Sequence, residues 1–298
     1  MQSMQFLLHG KIREVVSSPL KSLRKPALSG QVFCKAFQAK QEIAERFRQS
    51  DIMSSMAHEI IERLLAAVGG KYSRELGIDL TGADPAEIFR WFLAAKLFGA
   101  RISTDIAMRT FREFERRGVV TPERILATGW DGLVSILDAG GYVRYDFSTA
   151  TRLLAIMEAL SRSFGGDLNA LHERARDSAD LERLIKGIGT GIGNVTVTIF
   201  LRELRSVWPK ARPALSPPAL LASGHLELIV PGMEPLAALE SLWSRYPETG
   251  RDFSDFEASL VRLGKDYCRK GKHDLCPLRD FCGKGDVRRE RSVGGARR

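Results

Sequence analysis

Apolar residues recur at helical spacing along most of this chain, and this pattern constrains its fold more than any single motif. No alternating strand pattern persists, and no internal repeat is present. Glycine pairs and an Asp-Pro step separate the periodic segments. The predicted helices cover residues 51–68, 86–99, 104–117, 122–128, 130–137, 147–164 and 179–186. The pattern predicts an all-α fold.

The region after residue 207 begins with an irregular, proline-rich stretch, WPKARPALSPP. Helical patterns at 236–245 and 253–267 follow it and lead into a cysteine-rich loop. The stretch is typical of a crossover between two halves of a chain. We therefore predict two helical lobes. The predicted regions are an N-terminal region that packs with the C-terminal lobe (1–85), a helical barrel (86–207) and a C-terminal lobe with a basic tail (208–298).

The composition indicates a polyanionic partner. The 298 residues carry a formal net charge of +9 with a pI of about 9.6, which favours nucleic acid. Basic runs at 11–25 and 284–298 are predicted to add phosphate affinity. No apolar run has the length of a membrane span, and the first residues lack the pattern of a signal peptide. We expect a monomer without a membrane partner that is cytoplasmic and associated with the nucleoid.

A glycine-rich turn separates two predicted helices, one ending at Lys186 and one starting near Ile192. Its residues are Gly187, Ile188, Gly189, Thr190 and Gly191. Glycine allows another backbone to approach closely, and the N–H groups of such a turn suit a phosphate. A dinucleotide-binding fingerprint would need a strand before the turn. The preceding residues are helical in pattern, so we predict a helical hairpin with a buried Ile188.

Three of the four cysteines lie within fifteen residues near the C-terminus, at Cys268, Cys276 and Cys282, with His273 between them. Thiolates this close together can converge on one metal centre. Without an export pattern, clustered thiols favour a metal site over disulfides. Chance clustering of unrelated thiols is the alternative.

In order and approximate spacing, four segments of the chain resemble the helix-hairpin-helix DNA glycosylase superfamily. The match is to its iron–sulfur branch around endonuclease III and the adenine glycosylase, and it spans roughly residues 86–282. The segments are IFRWFLAAKLFGARISTD, WDGLVSILDAGGYVRYDFSTATRLLAIMEAL, IKGIGTGIGNVTVTIFL and SLVRLGKDYCRKGKHDLCPLRDFC. The resemblance implies a two-lobed helical fold with duplex DNA between the lobes.

The resemblance also implies a metal centre. Cys268, Cys276 and Cys282 match three cluster cysteines of the family, although the loop is two residues shorter, and His273 holds the place of the remaining cysteine. The implied cofactor is a [4Fe–4S] cluster on these four residues, since imidazole can replace a thiolate on cluster iron. A tetrahedral Cys3His zinc site is the second reading. A solvated His273 in a loop that has lost its metal is the third.

The catalytic residues of the family are absent. Gly191 stands where bifunctional members carry the lysine that attacks the sugar, and Ala214 or Ser216 stands where the carboxylate is expected. A serine hydroxyl cannot supply the charge that an oxocarbenium-like state needs. Lys96, on the first barrel helix, and Ser216 are the candidate catalytic residues.

The resemblance assigns DNA contacts as well. Arg101 matches the residue that wedges into the duplex, and Tyr142 and Tyr145 would line the pocket for an extruded base. A surface arginine and half-buried core aromatics are the alternatives. The residues expected to bind backbone phosphate are Lys186, Gly187, Gly189, Thr190 and Gly191.

Three functions are compatible with these features. The first is a base-excision enzyme, of the glycosylase and abasic-site lyase type, that flips a damaged or modified base and uses a rearranged catalytic set. The second is a transferase that modifies a base in a DNA hypermodification pathway. The third is a non-catalytic sensor of DNA lesions. The sequence alone does not separate the three, and we take the first as the prediction with the other two as alternatives.

Overall fold

The computed structural model describes residues 55–229 and 232–283. All regular secondary structure in these ranges is helical, which confirms the all-α prediction. Both predicted basic runs lie outside the described residues. The helices are α1 (55–68), α2 (Tyr72–Glu75), α3 (Pro85–Phe98), α4 (Thr104–Arg116), α5 (Pro122–Gly140), α6 (Asp146–Phe164), α7 (Leu168–Arg174), α8 (Ser178–Gly187), α9 (Asn194–Arg202), α10 (Pro217–His225), α11 (Pro235–Arg245) and α12 (Phe253–Leu263).

Local sequence signals set most of the helix starts. The Asp84 carboxylate accepts hydrogen bonds from the N–H groups of Ala86 and Glu87, and Pro85 fills the first helical position of α3. Ser103 caps α4 in the same way. Inside α5, Gly129 has a φ of 68° and interrupts the helical backbone. The predicted helices at 122–128 and 130–137 lie on either side of this break.

The larger of two hydrophobic cores, which we call the barrel core, joins α2 to α9 and extends to Ala211. Trp91 lies at its centre and donates a hydrogen bond of 3.0 Å to the carbonyl oxygen of Phe200. Phe92 packs edge-on against the Phe200 ring with a centroid distance of 5.3 Å. Ile188 of the glycine turn is buried in this core, as predicted.

The smaller core, which we call the C-terminal core, joins α1 to α10, α11 and α12. Leu64 of α1, Ala219 of α10 and Phe256 of α12 are fully buried in it. Cys276 and Leu278, from the cysteine-rich loop, complete it. The chain therefore enters this core at α1, leaves it for the barrel core, and returns at α10.

Buried charges join elements within the barrel core and between the two cores. The Glu203 carboxylate, next to α9, accepts hydrogen bonds from the N–H groups of Tyr72 and Ser73 at 3.0 and 2.9 Å. The buried Glu257 of α12 pairs with Arg205 at 2.7 Å. The described residues from Met56 onward accordingly belong to one compact unit.

No described helix has the length and apolar character needed to cross a membrane.

Candidate nucleic-acid interface and cysteine loop

A cleft of about 760 Å³ opens where the two cores meet. The first turn of α9 forms one wall, with Asn194 and Val195. The loop 100–104 and the crossover 214–218 contribute further lining, and Lys265 lies beyond α12 on the opposite side. Arg101 and Ser216, both predicted site residues, line this cleft together.

The cleft is cationic. Its described lining contains no carboxylate, and its four cationic side chains are those of Arg101, Arg202, Lys265 and Arg269. Much of the remaining lining is apolar, including Phe98, Ile199 and Leu215. An apolar cleft with a few convergent charges is typical of a site that binds an anionic ligand with a flat hydrophobic part.

Arg202 is buried, with 2% of its side chain exposed. One terminal nitrogen lies 3.4 Å from Glu203, while its Nε atom has no hydrogen-bond partner among the described residues. A buried donor without a partner costs stability, roughly 1–3 kcal/mol. A buried arginine is therefore retained at the cleft at a cost to the fold.

Ser216 immediately precedes α10, but its side chain does not cap the helix. The Oγ atom is buried and has no hydrogen-bond partner among the described residues. Ser216 thus contributes a neutral hydroxyl to the lining of the cleft, and its catalytic role stays a prediction. No carboxylate replaces it there.

Lys265 was not predicted as a site residue. Its ammonium group donates hydrogen bonds to the Thr104 hydroxyl and, at 3.4 Å, to the Tyr72 hydroxyl. Asp266 lies 3.9 Å from it. The one feature of the sequence that could have indicated a role for Lys265 is its position three residues before Cys268. Arg202 was not predicted either, and its only indication in the sequence is a charge at the end of the largely apolar segment NVTVTIFLR.

Lys96 is not among the residues that line this cleft, so the structure does not bring the two candidate catalytic residues together there. It is buried on α3, and burial together with the positive charge of Arg152 lowers its pKa to about 8. Among the described residues it has no ion pair. Tyr142 also lies near Arg152, so Lys96 and Tyr142 share a neighbourhood beneath the glycine turn.

The two predicted base-pocket tyrosines differ in exposure. Tyr142 is 1% exposed, and burial raises its pKa. Tyr145 is half-buried, meets the Tyr142 ring edge-on at 6.4 Å, and lies under the Arg144 guanidinium. Neither tyrosine lines the cleft described above. Their role in stacking on a base stays a prediction.

The glycine turn joins α8 to α9. Gly191 has a φ of 87°, which favours glycine, and a Cβ atom on Gly189 would lie 2.8 Å from Ile156. Gly187 has open space around it. The N–H groups of Gly189 and Gly191 donate no hydrogen bond within the described part of the chain. Lys186 contacts Glu182 at 3.3 Å. The turn can therefore present free donors to an anion.

The cysteine loop continues directly from α12. Gly264–Cys268 forms a π-helical turn, and His273–Leu275 and Arg279–Phe281 form short 3₁₀ turns. A Cβ atom on Gly264 would lie 1.9 Å from the carbonyl oxygen of Pro218, so only glycine fits. This close approach holds the start of the loop against α10.

Three thiols and an imidazole are chemically suitable ligands for iron or zinc. Cys276 is buried, and burial raises the pKa of its thiol, with a further contribution from the neighbouring Cys282. The His273 ring lies 6.1 Å from the ring of His225, on α10. Within the described ranges, however, no three His, Cys, Asp or Glu side chains converge as a metal site. The three thiols and the imidazole are therefore suitable ligands by chemistry, but in the described residues they do not lie close enough together to bind one metal ion.

Comparisons with known proteins do not add to this description. No protein-family model matches the sequence, and no curated protein matches it significantly.

Proposed function

We propose that this protein binds duplex DNA and receives an extruded nucleotide in the cleft between its two cores. The observation that carries the proposal is the cleft itself, with its apolar walls, four cations and no carboxylate in the described lining. A flipped base needs a pocket with flat apolar surfaces, and its flanking phosphates need cations. The formal charge of +9 suits the same partner.

The glycine turn supports a second contact with the DNA. Its free N–H donors at Gly189 and Gly191 can bind a backbone phosphate without reading the sequence. Val195, in the first turn of α9, is exposed and also lines the cleft. Phosphate binding at the turn would thus hold the duplex close to the cleft.

Within this proposal the protein is of base-excision type, with atypical catalytic residues. The cleft lining offers Ser216 and cations rather than an acid. This favours a second candidate, in which the extruded base is modified or only recognised, because stabilising a sugar cation requires negative charge. Lys96, whose amine is readily deprotonated, is the candidate nucleophile in either case.

We further propose that Cys268, His273, Cys276 and Cys282 hold a [4Fe–4S] cluster, with zinc as the alternative metal. When bound, the group would cross-link the loop and order its backbone beside α10. The contact between Gly264 and Pro218 already places the start of the loop there.

Fluorescence anisotropy with a labelled duplex tests DNA binding, and Gly187→Ala is the informative variant. The added methyl group meets no protein atom within 4 Å, so it leaves the fold intact while standing beside the phosphate-binding turn. We expect affinity to fall about tenfold for all sequences alike, because phosphate contacts position without specifying. Gly189 is unsuitable for this test, since any side chain there would disturb Ile156.

Gly224→Ala is the matched control, because Gly224 is exposed on α10 and also has open space around it. Equal affinities of the two variants for DNA would remove the turn from the interface. Absence of salt-sensitive binding by the unmodified chain would reject DNA as the partner.

A further inference from the structure

We propose that the cleft contains an oxyanion site, formed by Arg202, Lys265 and Ser216, that takes a phosphoryl group. This site deepens the proposed function by naming the chemistry that the cleft recognises. It rests on DNA binding only for the source of the phosphoryl group, because the side chains that form it belong to the cleft and not to the glycine turn.

Arg202 carries most of the argument. It is buried, it lines the cleft, and its Nε atom has no partner among the described residues. Glu203 lies 3.4 Å from one terminal nitrogen of Arg202, and Arg202 also acts on the pKa of the buried Glu257, so its charge is shared with two carboxylates while its Nε donor stays unused among the described residues. An arginine presents its donors in a planar fork that matches a phosphate. The Nε atom is itself buried, so an oxyanion in the cleft would pair with it after a small shift of the guanidinium.

Lys265 brings a second cation to the same place. Its ammonium lies 5.6 Å from the Tyr72 ring centroid, and the Arg202 guanidinium lies 6.0 Å from that centroid. Both cations thus lie near the Tyr72 ring, which also contacts the Arg262 guanidinium at 3.8 Å from its centroid. The hydroxyl groups of Tyr72 and Thr104 orient Lys265 but carry no charge, and Asp266 is 3.9 Å away and does not line the cleft.

Ser216 supplies a hydroxyl donor. Its Oγ atom is buried and has no partner among the described residues. Pro217 and Pro218 begin α10 and have no N–H group, so the end of this helix cannot itself bind the anion. The site must consequently be built from side chains. Arg101 and Arg269, both exposed, form a cationic rim that would attract the ligand.

The phosphoryl group has two possible sources. One is the backbone of the DNA next to an extruded nucleotide. The other is a phosphoryl group that the substrate base or a second substrate carries. Both present the same tetrahedral oxyanion to the site, and competition with DNA separates them.

Isothermal titration calorimetry of the full chain with inorganic phosphate, at low ionic strength, tests the site. We expect saturable binding at one site that Lys265→Met weakens about tenfold, as for loss of a charge-assisted hydrogen bond. Ser216→Ala should weaken it less. If Lys265→Met fails to fold, Arg101→Met replaces it in the test, because Arg101 is exposed at the rim, and it should also weaken phosphate binding. Arg124→Met removes an exposed charge far from the lining and serves as the control.

Titration in the presence of an unmodified duplex then identifies the source. If the duplex displaces phosphate, the site holds a backbone phosphate; if both bind together, it holds a phosphoryl group from elsewhere. Either result supports the site. No saturable phosphate binding, or equal binding by the Lys265, Arg101 and Arg124 variants, would overturn it. Saturable phosphate binding by a protein that does not bind DNA would reject the proposed function and leave the site in place.

Discussion

Lys96 is buried in the barrel core without a compensating partner in the described part of the chain. Its side chain is 5% exposed, it has no ion pair among the described residues, and its nearest charge is the like charge of Arg152. Burying an unpaired amine disfavours its charged form. The retention of a lysine here is consistent with a role in chemistry.

The pKa of Lys96 makes stability depend on pH. The amine has an ordinary pKa of 10.5 and a folded pKa of about 8. Between about pH 8 and 10.5 the folded chain binds fewer protons than the unfolded chain, so stability rises with pH in this window. We expect Lys96→Met to raise the free energy of unfolding at pH 7 by about 1–3 kcal/mol and to flatten this rise.

Urea unfolding at pH 7 and pH 9.5 measures both effects. Lys186→Met, which removes a partly exposed lysine, is the control and should leave the pH dependence as it is in the unmodified chain. If the stability of Lys96→Met depended on pH as that of the unmodified chain does, the Lys96 amine would be paired or solvated, and the prediction would be wrong.

Residue-level prediction from the sequence was uneven for a physical reason. Arg101 and Ser216 were predicted as site residues because they match positions of the family that the sequence resembles, and both line the cleft. Arg202 and Lys265 were not predicted, because their importance comes from burial and from Tyr72, which lies far from both in sequence. Periodicity reveals which face of a helix is apolar, but not which charged residue a distant segment will cover.

At the scale of elements, the sequence predicted helices well where caps and breakers are strong. The predicted 86–99 corresponds to Pro85–Phe98, which Asp84 and Gly99 delimit. The predicted 253–267 is instead α12 followed by a π-helical turn. Apolar spacing alone does not reveal that change, and it does not reveal that Gly264, the first residue of the turn, packs closely against Pro218.

That packing yields a prediction for the loop. In Gly264→Ala the new methyl group would overlap the Pro218 carbonyl, so we expect a loss of about 3 kcal/mol or more in the free energy of unfolding. Gly224→Ala, on the adjacent helix with free space, should be neutral or stabilising by about 0.5–1 kcal/mol. Chemical denaturation measures both, and equal stabilities would contradict the close approach.

The metal content of the loop gives a second element-scale prediction. Anaerobically purified protein should contain iron and sulfide, or zinc, and Cys276→Ala should abolish retention. His273→Cys should retain the metal and, with iron, lower the reduction potential, because thiolate replaces imidazole. Cys34, the fourth cysteine, lies far from the other three in sequence, so Cys34→Ser is the control and should retain full metal. Elemental analysis and an optical spectrum decide, and a metal-free chain would leave these thiols as part of the C-terminal core alone.

At the scale of the whole molecule, the cleft depends on how the two cores are joined. Arg205, in the segment after α9, pairs with Glu257 on α12. Asp255 of α12 accepts the N–H of Lys71, while Glu203 connects α9 to α2 within the barrel core. Buried pairs of this kind are weak sources of stability but fix one relative position. The hairpin, the cationic cleft and the cysteine loop are thereby held in one compact unit.

The central claim is that a nucleotide leaves the duplex and enters this cleft. Fluorescence of 2-aminopurine in a duplex, at protein concentrations that saturate anisotropy, measures it directly, because unstacking relieves quenching of this base. We predict that the 2-aminopurine fluorescence rises when the unmodified chain binds and rises little with Ala214→Trp. Ala214 is exposed and lines the cleft, so the tryptophan should fill the cleft without preventing DNA binding. Saturated binding without a rise, or an equal rise with Ala214→Trp, would contradict the account.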